Sequence, residues 1–332
     1  MGAAKVIASV PLEVGGRAPA RDLLCQAGYE LIELAGPRPE VPEEVRTRYV
    51  GVAAILAGME HLNGATLAAA SELRVIARSG VGFDTVDVPW CTAHGIVVTN
   101  TPGALSDAVA EETMALMLAL TRHLVTGNQS VKAGGYDVPY GDDLGTLVLG
   151  VIGGGHIGSE VIQRAVAFGM RVLCCDPWVP AARLQALGAQ PASLAELLPQ
   201  ADIVTLHVPL TPETRQLVNA DFLAQMKPGS RLLNTARGGL VDEAALIEAL
   251  NRGHLASAGL DCQASEPPTG QSLELVRLPQ VVAMPHAGSK TRATRQRMAL
   301  WAARSIDDVL QGRTPEHVVN PQVLPQLHLN PR

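Results

Sequence analysis

Three short segments in the second half of the chain close an apolar run with a side chain that can hold an anion or move a proton. Leu232-Leu-Asn-Thr-Ala-Arg237-Gly-Gly carries a guanidinium. Gly259-Leu-Asp261-Cys-Gln-Ala-Ser-Glu266-Pro-Pro carries two carboxylates. Val282-Ala-Met-Pro-His286-Ala-Gly carries an imidazole. Taken singly, each has an ordinary use: Arg237 as a phosphate contact, Glu266 as a solvated loop acid, His286 as a helix cap. Together they match the needs of one reaction. A 2-keto acid needs a forked cation for its carboxylate. Its carbonyl oxygen needs a proton once hydride reaches carbon, and His suits that exchange near pH 7. A carboxylate beside the His stabilises the imidazolium and fixes the ring.

A second motif supplies the partner for such chemistry. Leu149-Gly-Val-Ile-Gly153-Gly154-Gly155-His156-Ile157-Gly158 is Gly-x-Gly-x-x-Gly between an apolar strand and a helix expected over Ser159–Phe168. Gly153 allows the tight turn, Gly155 lets backbone approach a pyrophosphate, and Gly158 lets helix and strand pack closely. The amides of the helix start, around His156 and Ile157, would face the phosphates. The next strand, Arg171-Val-Leu-Cys-Cys-Asp176, ends in an acid 18 residues beyond Gly158. An acid there accepts from the ribose hydroxyls and repels a 2′-phosphate. No Arg or Lys follows at once, so NAD is expected over NADP.

These groups need a scaffold that delivers them to one edge. Short apolar runs alternate with helical stretches along the whole chain. Strands are expected at Val6–Val10, Glu30–Leu34, Val52–Leu56, Leu73–Ala77 and Ile96–Thr99. A second series runs through Leu147–Ile152, Arg171–Cys175, Ile203–His207, Arg231–Asn234, Ala256–Leu260 and Val281–Ala283. Alternating β and α implies parallel sheets covered on both faces. Ligands of such sheets lie outside the carboxyl ends of the strands, where Arg237, Glu266 and His286 fall. Between the two series a helix is expected over Asp107–Val125, with Ser106 or Asp107 as its cap. It is apolar all round beyond Glu112, which means burial or an interface. A loop follows from Ala133, and a last helix from Thr291 to Leu310.

Composition narrows the function classes. The 332 residues suffice for two domains, and 47 % hydrophobic content excludes a disordered chain. With 26 basic and 32 acidic residues, four of them Lys, the surface does not suit nucleic acid. No apolar run approaches the 18 residues of a membrane span, and the start reads as a first strand rather than a signal peptide. Five cysteines without a Cys-x-x-Cys pair point to neither a disulfide scaffold nor a zinc ribbon, and to a reducing cytoplasm.

In this order, several segments resemble the D-isomer-specific 2-hydroxyacid dehydrogenase family, which includes D-3-phosphoglycerate dehydrogenases and glyoxylate/hydroxypyruvate reductases. They are Arg78–Asp87, Asn100–Gly103, the Gly153–Gly158 loop, His207–Thr214, Asn234–Gly239, Gly259–Pro267 and Pro285–Gly288. The resemblance covers nearly the whole chain. It implies an α/β protein of two Rossmann-like domains with parallel sheets, a dinucleotide-binding domain inserted in a flavodoxin-like substrate domain. Residues 1–104 with 292–332 would form the substrate domain, and 105–291 the NAD-binding domain. The family's catalytic residues fall on Arg237, Glu266 and His286. Its nicotinamide-amide acid falls on Asp261 and its ribose acid on Asp176. Further cofactor contacts match His207, Pro209, Thr214, Thr235, Ala236 and Gly288. Substrate carboxylate would meet the Val81 and Gly82 backbone, on the loop after Arg78. The helix near 107–125 resembles the one these enzymes use to form homodimers.

The expected function is thus a cytoplasmic NAD-dependent dehydrogenase interconverting a D-2-hydroxy acid and its 2-keto acid. A small unphosphorylated substrate such as glyoxylate or hydroxypyruvate is favoured, because Ala93 and His94 stand where phosphate-handling members often carry bases. The alternative is a D-3-phosphoglycerate or phosphonate-type dehydrogenase. A reading from another class is an NAD(H)-sensing, corepressor-like binding protein; the chain shows none of the disordered extension that would favour it.

Overall fold

The computed structural model describes residues 2–34, 47–327 and 329–330. The chain divides into two compact units, Met1–Leu105 with Lys290–Arg332, and Ser106–Ser289.

The first unit is built on five parallel strands, β1 (Lys5–Ala8), β2 (Glu30–Glu33), β3 (Val52–Ala57), β4 (Val75–Arg78) and β5 (Val97–Thr99). Their order is β2-β1-β3-β4-β5, the flavodoxin-like arrangement. All six residues of β3 are buried, as a central strand covered on both faces requires. Alternate side chains divide between two cores. Val6 and Ala8 pack with Ala299, Ala303 and Ile306 of the helix Arg292–Leu310. Ile7, Ile55 and Ile76 pack with Leu67 and Cys91 on the other face.

The second unit is built on seven parallel strands: β6 (Val148–Ile152), β7 (Arg171–Cys175), β8 (Ala189–Pro191), β9 (Ile203–Leu206), β10 (Ser230–Asn234), β11 (Leu255–Leu260) and β12 (Val281–Ala283). Their order is β12-β11-β10-β9-β6-β7-β8. The chain starts in the middle, winds outward through β7 and β8, then restarts at β9 on the other side of β6. That reversal between β6 and β9 is the switch point at which doubly wound sheets open a ligand crevice.

Three expectations need correction. The helix expected over Asp107–Val125 ends at Thr121, and a second helix runs over Leu124–Lys132. His123 between them sits at φ 50°, a left-handed conformation that no helix continues through. Ser106 is the first residue of the helix rather than a cap outside it. The missing polar face is accounted for inside the chain. Met114, Leu116, Met117 and Leu120 are buried with Val161, Ile162 and Ala165 of the helix His156–Ala167 and with Leu149 and Val151 of β6. A Cβ on Gly259 of β11 would stand 3.3 Å from Leu116, so the sheet also lies directly against this helix. The helix expected over Ser159–Phe168 begins three residues earlier, at His156.

Candidate active site

The loop after β6 leads from Gly153 straight into the helix His156–Ala167. A Cβ at Gly158 would lie 1.9 Å from the Gly153 carbonyl oxygen, so only glycine lets the helix start this close to the strand end. Gly155 is the opposite case: a Cβ there would meet nothing within 4 Å. It is also the helix N-cap and offers no side-chain acceptor to the first-turn amides of His156 and Ile157. Open space over unsatisfied N–H groups at a helix start suits a phosphate anion. At the end of β7, Asp176 Oδ2 accepts from the Gly154 amide at 2.8 Å, and Oδ1 accepts from Trp178 and Val179. The carboxylate thereby ties the glycine loop to the next strand. This set of residues fits a dinucleotide, with the loop for the pyrophosphate and Asp176 for the ribose.

The loop after β9 carries His207, Pro209 and Thr214. Thr214 caps its own turn, its hydroxyl donating to the Pro209 carbonyl at 2.7 Å. His207 Nε2 lies 3.0 Å from the Thr205 hydroxyl. Its buried Nδ1 finds no hydrogen-bond partner among the described residues. Burial of the ring pushes its pKa down to about 3, so the imidazole is neutral.

The end of β10 presents Arg237. Fully buried Asn234 shapes this turn by accepting from the Ala236 amide and donating to the Arg237 carbonyl. Thr235 bonds Thr113 of the long helix at 2.9 Å. A Cβ at Gly238 would fall 2.0 Å from the Gln263 carbonyl carbon. The arginine turn is thus pressed against the loop after β11, which carries Glu266.

That loop has its own anchors. Glu243, 6 % exposed, accepts from the Ala264 amide at 2.9 Å and from the Ser272 hydroxyl at 2.7 Å. Gln263 donates its amide nitrogen to the Leu260 and Met284 carbonyls, bridging to the strand end before His286. The outcome is a close acid–base pair: His286 Nδ1 lies 2.8 Å from Glu266 Oε2, with about a third or less of each side chain exposed. His286 holds φ 50°, a costly conformation for a residue with a Cβ. Asp261 holds it there. The Asp261 carbonyl accepts from the His286 amide at 2.9 Å, and its carboxylate accepts from the Ala287 and Gly288 amides at 2.6 and 2.9 Å. Asp261 is 1 % exposed. Its negative charge, second to burial, also raises the pKa of Glu112.

Arg237, Glu266, His286 and Asp261 thus lie at the carboxyl ends of adjacent strands in the unit that also carries the glycine loop. Arg78, Val81 and Gly82 belong to the first unit. Arg78 closes β4, 3 % exposed, with Nη1 donating to the Ser79 carbonyl; Asn100 donates to the Val81 carbonyl at 2.8 Å. The supports Asn234, Glu243 and Gln263 escaped sequence reasoning. Asn234 bonds backbone two and three residues on, whereas Glu243 and Gln263 reach Ala264, Ser272 and Met284 across 21 to 29 residues, and no motif spacing announces either kind. Asp261 was legible as an acid in the right place, but its grip on the His286 turn was not.

The family model described as D-isomer specific 2-hydroxyacid dehydrogenase, NAD binding domain, matches residues 114–288. A D-3-phosphoglycerate dehydrogenase of Methanocaldococcus jannaschii is 42 % identical over 260 residues, 77 % of this chain and 49 % of that protein. The chain spans about half the length of the curated relatives it matches. Among solved structures, the TT0316 protein of Thermus thermophilus superposes with a TM-score of 0.85 at 41 % identity, covering 95 % of this chain and 99 % of that one. A D-lactate dehydrogenase of Aquifex aeolicus, crystallised with NAD and lactic acid, gives 0.82 at 31 %, covering 93 % and 96 %.

Proposed function

The chain belongs to the D-isomer specific 2-hydroxyacid dehydrogenases, and from that membership we propose that it interconverts a D-2-hydroxy acid and its 2-keto acid with NAD. The observation that carries the reading is the His286–Glu266 pair at 2.8 Å, on the strand ends that also present Arg237. NAD, when bound, supplies or accepts the hydride at the substrate's second carbon. The remaining work falls to the chain. Arg237 holds the substrate carboxylate and polarises the carbonyl. His286, with its Nδ1 side on Glu266, offers its other ring nitrogen to the substrate oxygen. It gives a proton there in reduction and takes it back in oxidation. Asp261 keeps the His286 turn in place, and its second acceptor positions suit the nicotinamide amide. Val81, Gly82 and Arg78 remain proposed substrate contacts, from the family resemblance of the Arg78–Asp87 segment.

For the substrate, the relatives favour the phosphorylated alternative over the small acids expected from the sequence. Curated relatives 41–42 % identical to this chain carry the name D-3-phosphoglycerate dehydrogenase. We therefore place D-3-phosphoglycerate-type acids first and glyoxylate or hydroxypyruvate second. Cytoplasmic residence is supported by five cysteines without a disulfide; among the described residues no helix is long and apolar enough to cross a membrane. We also propose a homodimer.

The test is turnover of D-3-phosphoglycerate with NAD against glyoxylate and hydroxypyruvate with NADH. Use of the small acids alone would restore the first substrate reading. Binding of NADH with turnover of none would favour the sensor. Asp176 sets the cofactor: kcat/KM with NADH should exceed that with NADPH by at least about tenfold, since an unpaired like charge costs more than about 1.4 kcal/mol. Asp176→Asn, which keeps an acceptor for the loop amides, should narrow that ratio. Equal use of both cofactors by the unmutated protein would refute the assignment.

A further inference from the structure

The acid–base pair has a third neighbour that proton transfer does not use. Cys262, two residues beyond β11, places its sulfur so that one ligand atom each of Cys262, Glu266 and His286 lies within 4.8 Å of the others. The geometry points to an inhibitory binding site for a borderline-to-soft divalent cation, of which Zn²⁺ is the representative. Thiolate, imidazole and carboxylate are the three ligand types zinc combines, and three protein ligands with an open fourth position form a recurrent site. Bond lengths of about 2.0–2.3 Å in a tetrahedron need ligand atoms roughly 3.2–3.8 Å apart. The His286–Glu266 contact at 2.8 Å must open by about half an ångström, and the sulfur must close by at most about 1.5 Å. Glu243, Gln263 and Asp261 hold the loops, which leaves these adjustments to the three side chains.

Cys262 is 2 % exposed, and its thiol donates to the Ala236 carbonyl, 3.4 Å away. A thiolate formed there on metal binding would exchange that contact for a metal bond. The proton on sulfur leaves to solvent, and any proton on His286 Nδ1 is displaced, to Nε2 from a neutral ring or to solvent from an imidazolium. The metal then occupies the place of the Nδ1 proton, so the pair no longer serves the substrate oxygen. The predicted consequence is inhibition. The sulfur ligand also sets the selectivity, excluding the hard cations Mg²⁺ and Ca²⁺.

Inhibition rests on the proposed catalytic role of His286, whereas metal binding does not, so the two are read separately. Purified protein is titrated with Co²⁺ and followed by absorbance. A thiolate-to-cobalt charge-transfer band with tetrahedral visible bands is expected, and Zn²⁺ should displace both. Cys262→Val should lose the charge-transfer band, while Cys25→Ser, on the surface, should keep it. In turnover assays Zn²⁺ should inhibit the unmutated protein reversibly to EDTA, and Mg²⁺ at the same concentration should not. Cys262→Val should keep the basal rate and need at least about tenfold more Zn²⁺ for half inhibition. A charge-transfer band that survives Cys262→Val, or equal Zn²⁺ sensitivity of the two proteins, would overturn the proposal. Should no substrate be turned over, the cobalt titration still decides the site while the dehydrogenase reading falls.

Discussion

At the scale of single residues the site separates two tasks that one substitution each can isolate. In the proposed reaction His286 exchanges the proton, and its removal leaves the glycine loop and Asp176 untouched. His286→Ala should lower kcat by about 10²–10⁴, the usual span for a lost acid–base group, with NADH affinity measured by fluorescence titration unchanged. Loss of NADH binding to the same degree would mean that the residue is structural. Arg237 differs because its proposed role uses the fork and not only the charge. Arg237→Lys keeps the charge and loses bidentate geometry. KM for the acid should rise and kcat should fall together in steady-state assays. An effect on neither would move substrate carboxylate recognition elsewhere. The positive φ of His286 adds a further lesson. Its cost is offset by three bonds to Asp261, so a buried acid assigned to cofactor binding is also the anchor of the acid–base turn.

At the scale of elements, what the sequence made legible depended on how local the cause was. The strands bearing Arg237, Asp261 and Asp176 stand out because central parallel strands are continuous apolar runs bounded by glycine or polar turns. Strand β8, Ala189–Pro191, went unread: three residues with a central Gln make no run. The break at His123 had no Gly or Pro to announce it, because Arg122-His123 reads as ordinary helix. An all-apolar helix is by its sequence either buried or interfacial, and the packing of Met117 and Leu120 decides for burial within this unit. The β9 loop gives a measurable consequence. His207 is neutral in the folded protein with a pKa near 3, below its unfolded value of about 6.5. A depressed histidine stabilises fully above the unfolded pKa, and that contribution fades as pH falls from about 6.5 towards 3, because the unfolded chain takes up the proton first. Urea midpoints should therefore decline below pH 6.5. His207→Asn should decline less steeply over pH 6.5–4, and parallel slopes would assign the acid sensitivity to other groups.

At the scale of the molecule, burial of the long helix moves the homodimer expectation along the chain. An interface cannot use Met114, Leu116, Met117 or Leu120, which already fill the core of their own unit. The apolar surface begins after the break: Leu124 is 56 % exposed, Val131 60 %, Val138 53 %, and Tyr136 and Tyr140 are almost fully so. So many large apolar side chains within one short stretch exceed the scattered exposure of an ordinary monomer surface. An obligate interface commonly buries more than about 2,000 Å², and a second copy docking through 124–140 would cover these side chains by two-fold symmetry. Sedimentation of the unmutated protein at micromolar concentration should give twice the 34.8 kDa of one chain. Leu124→Glu combined with Val131→Glu places two charges on side chains that support no core, so it should yield a folded monomer with native circular dichroism. Met117→Asp, by contrast, should unfold or precipitate the protein, because it puts a charge into a position with 0 % exposure. A native species of one chain's mass would exclude the dimer. A native dimer that survives the double substitution would keep the assembly and remove 124–140 from its interface.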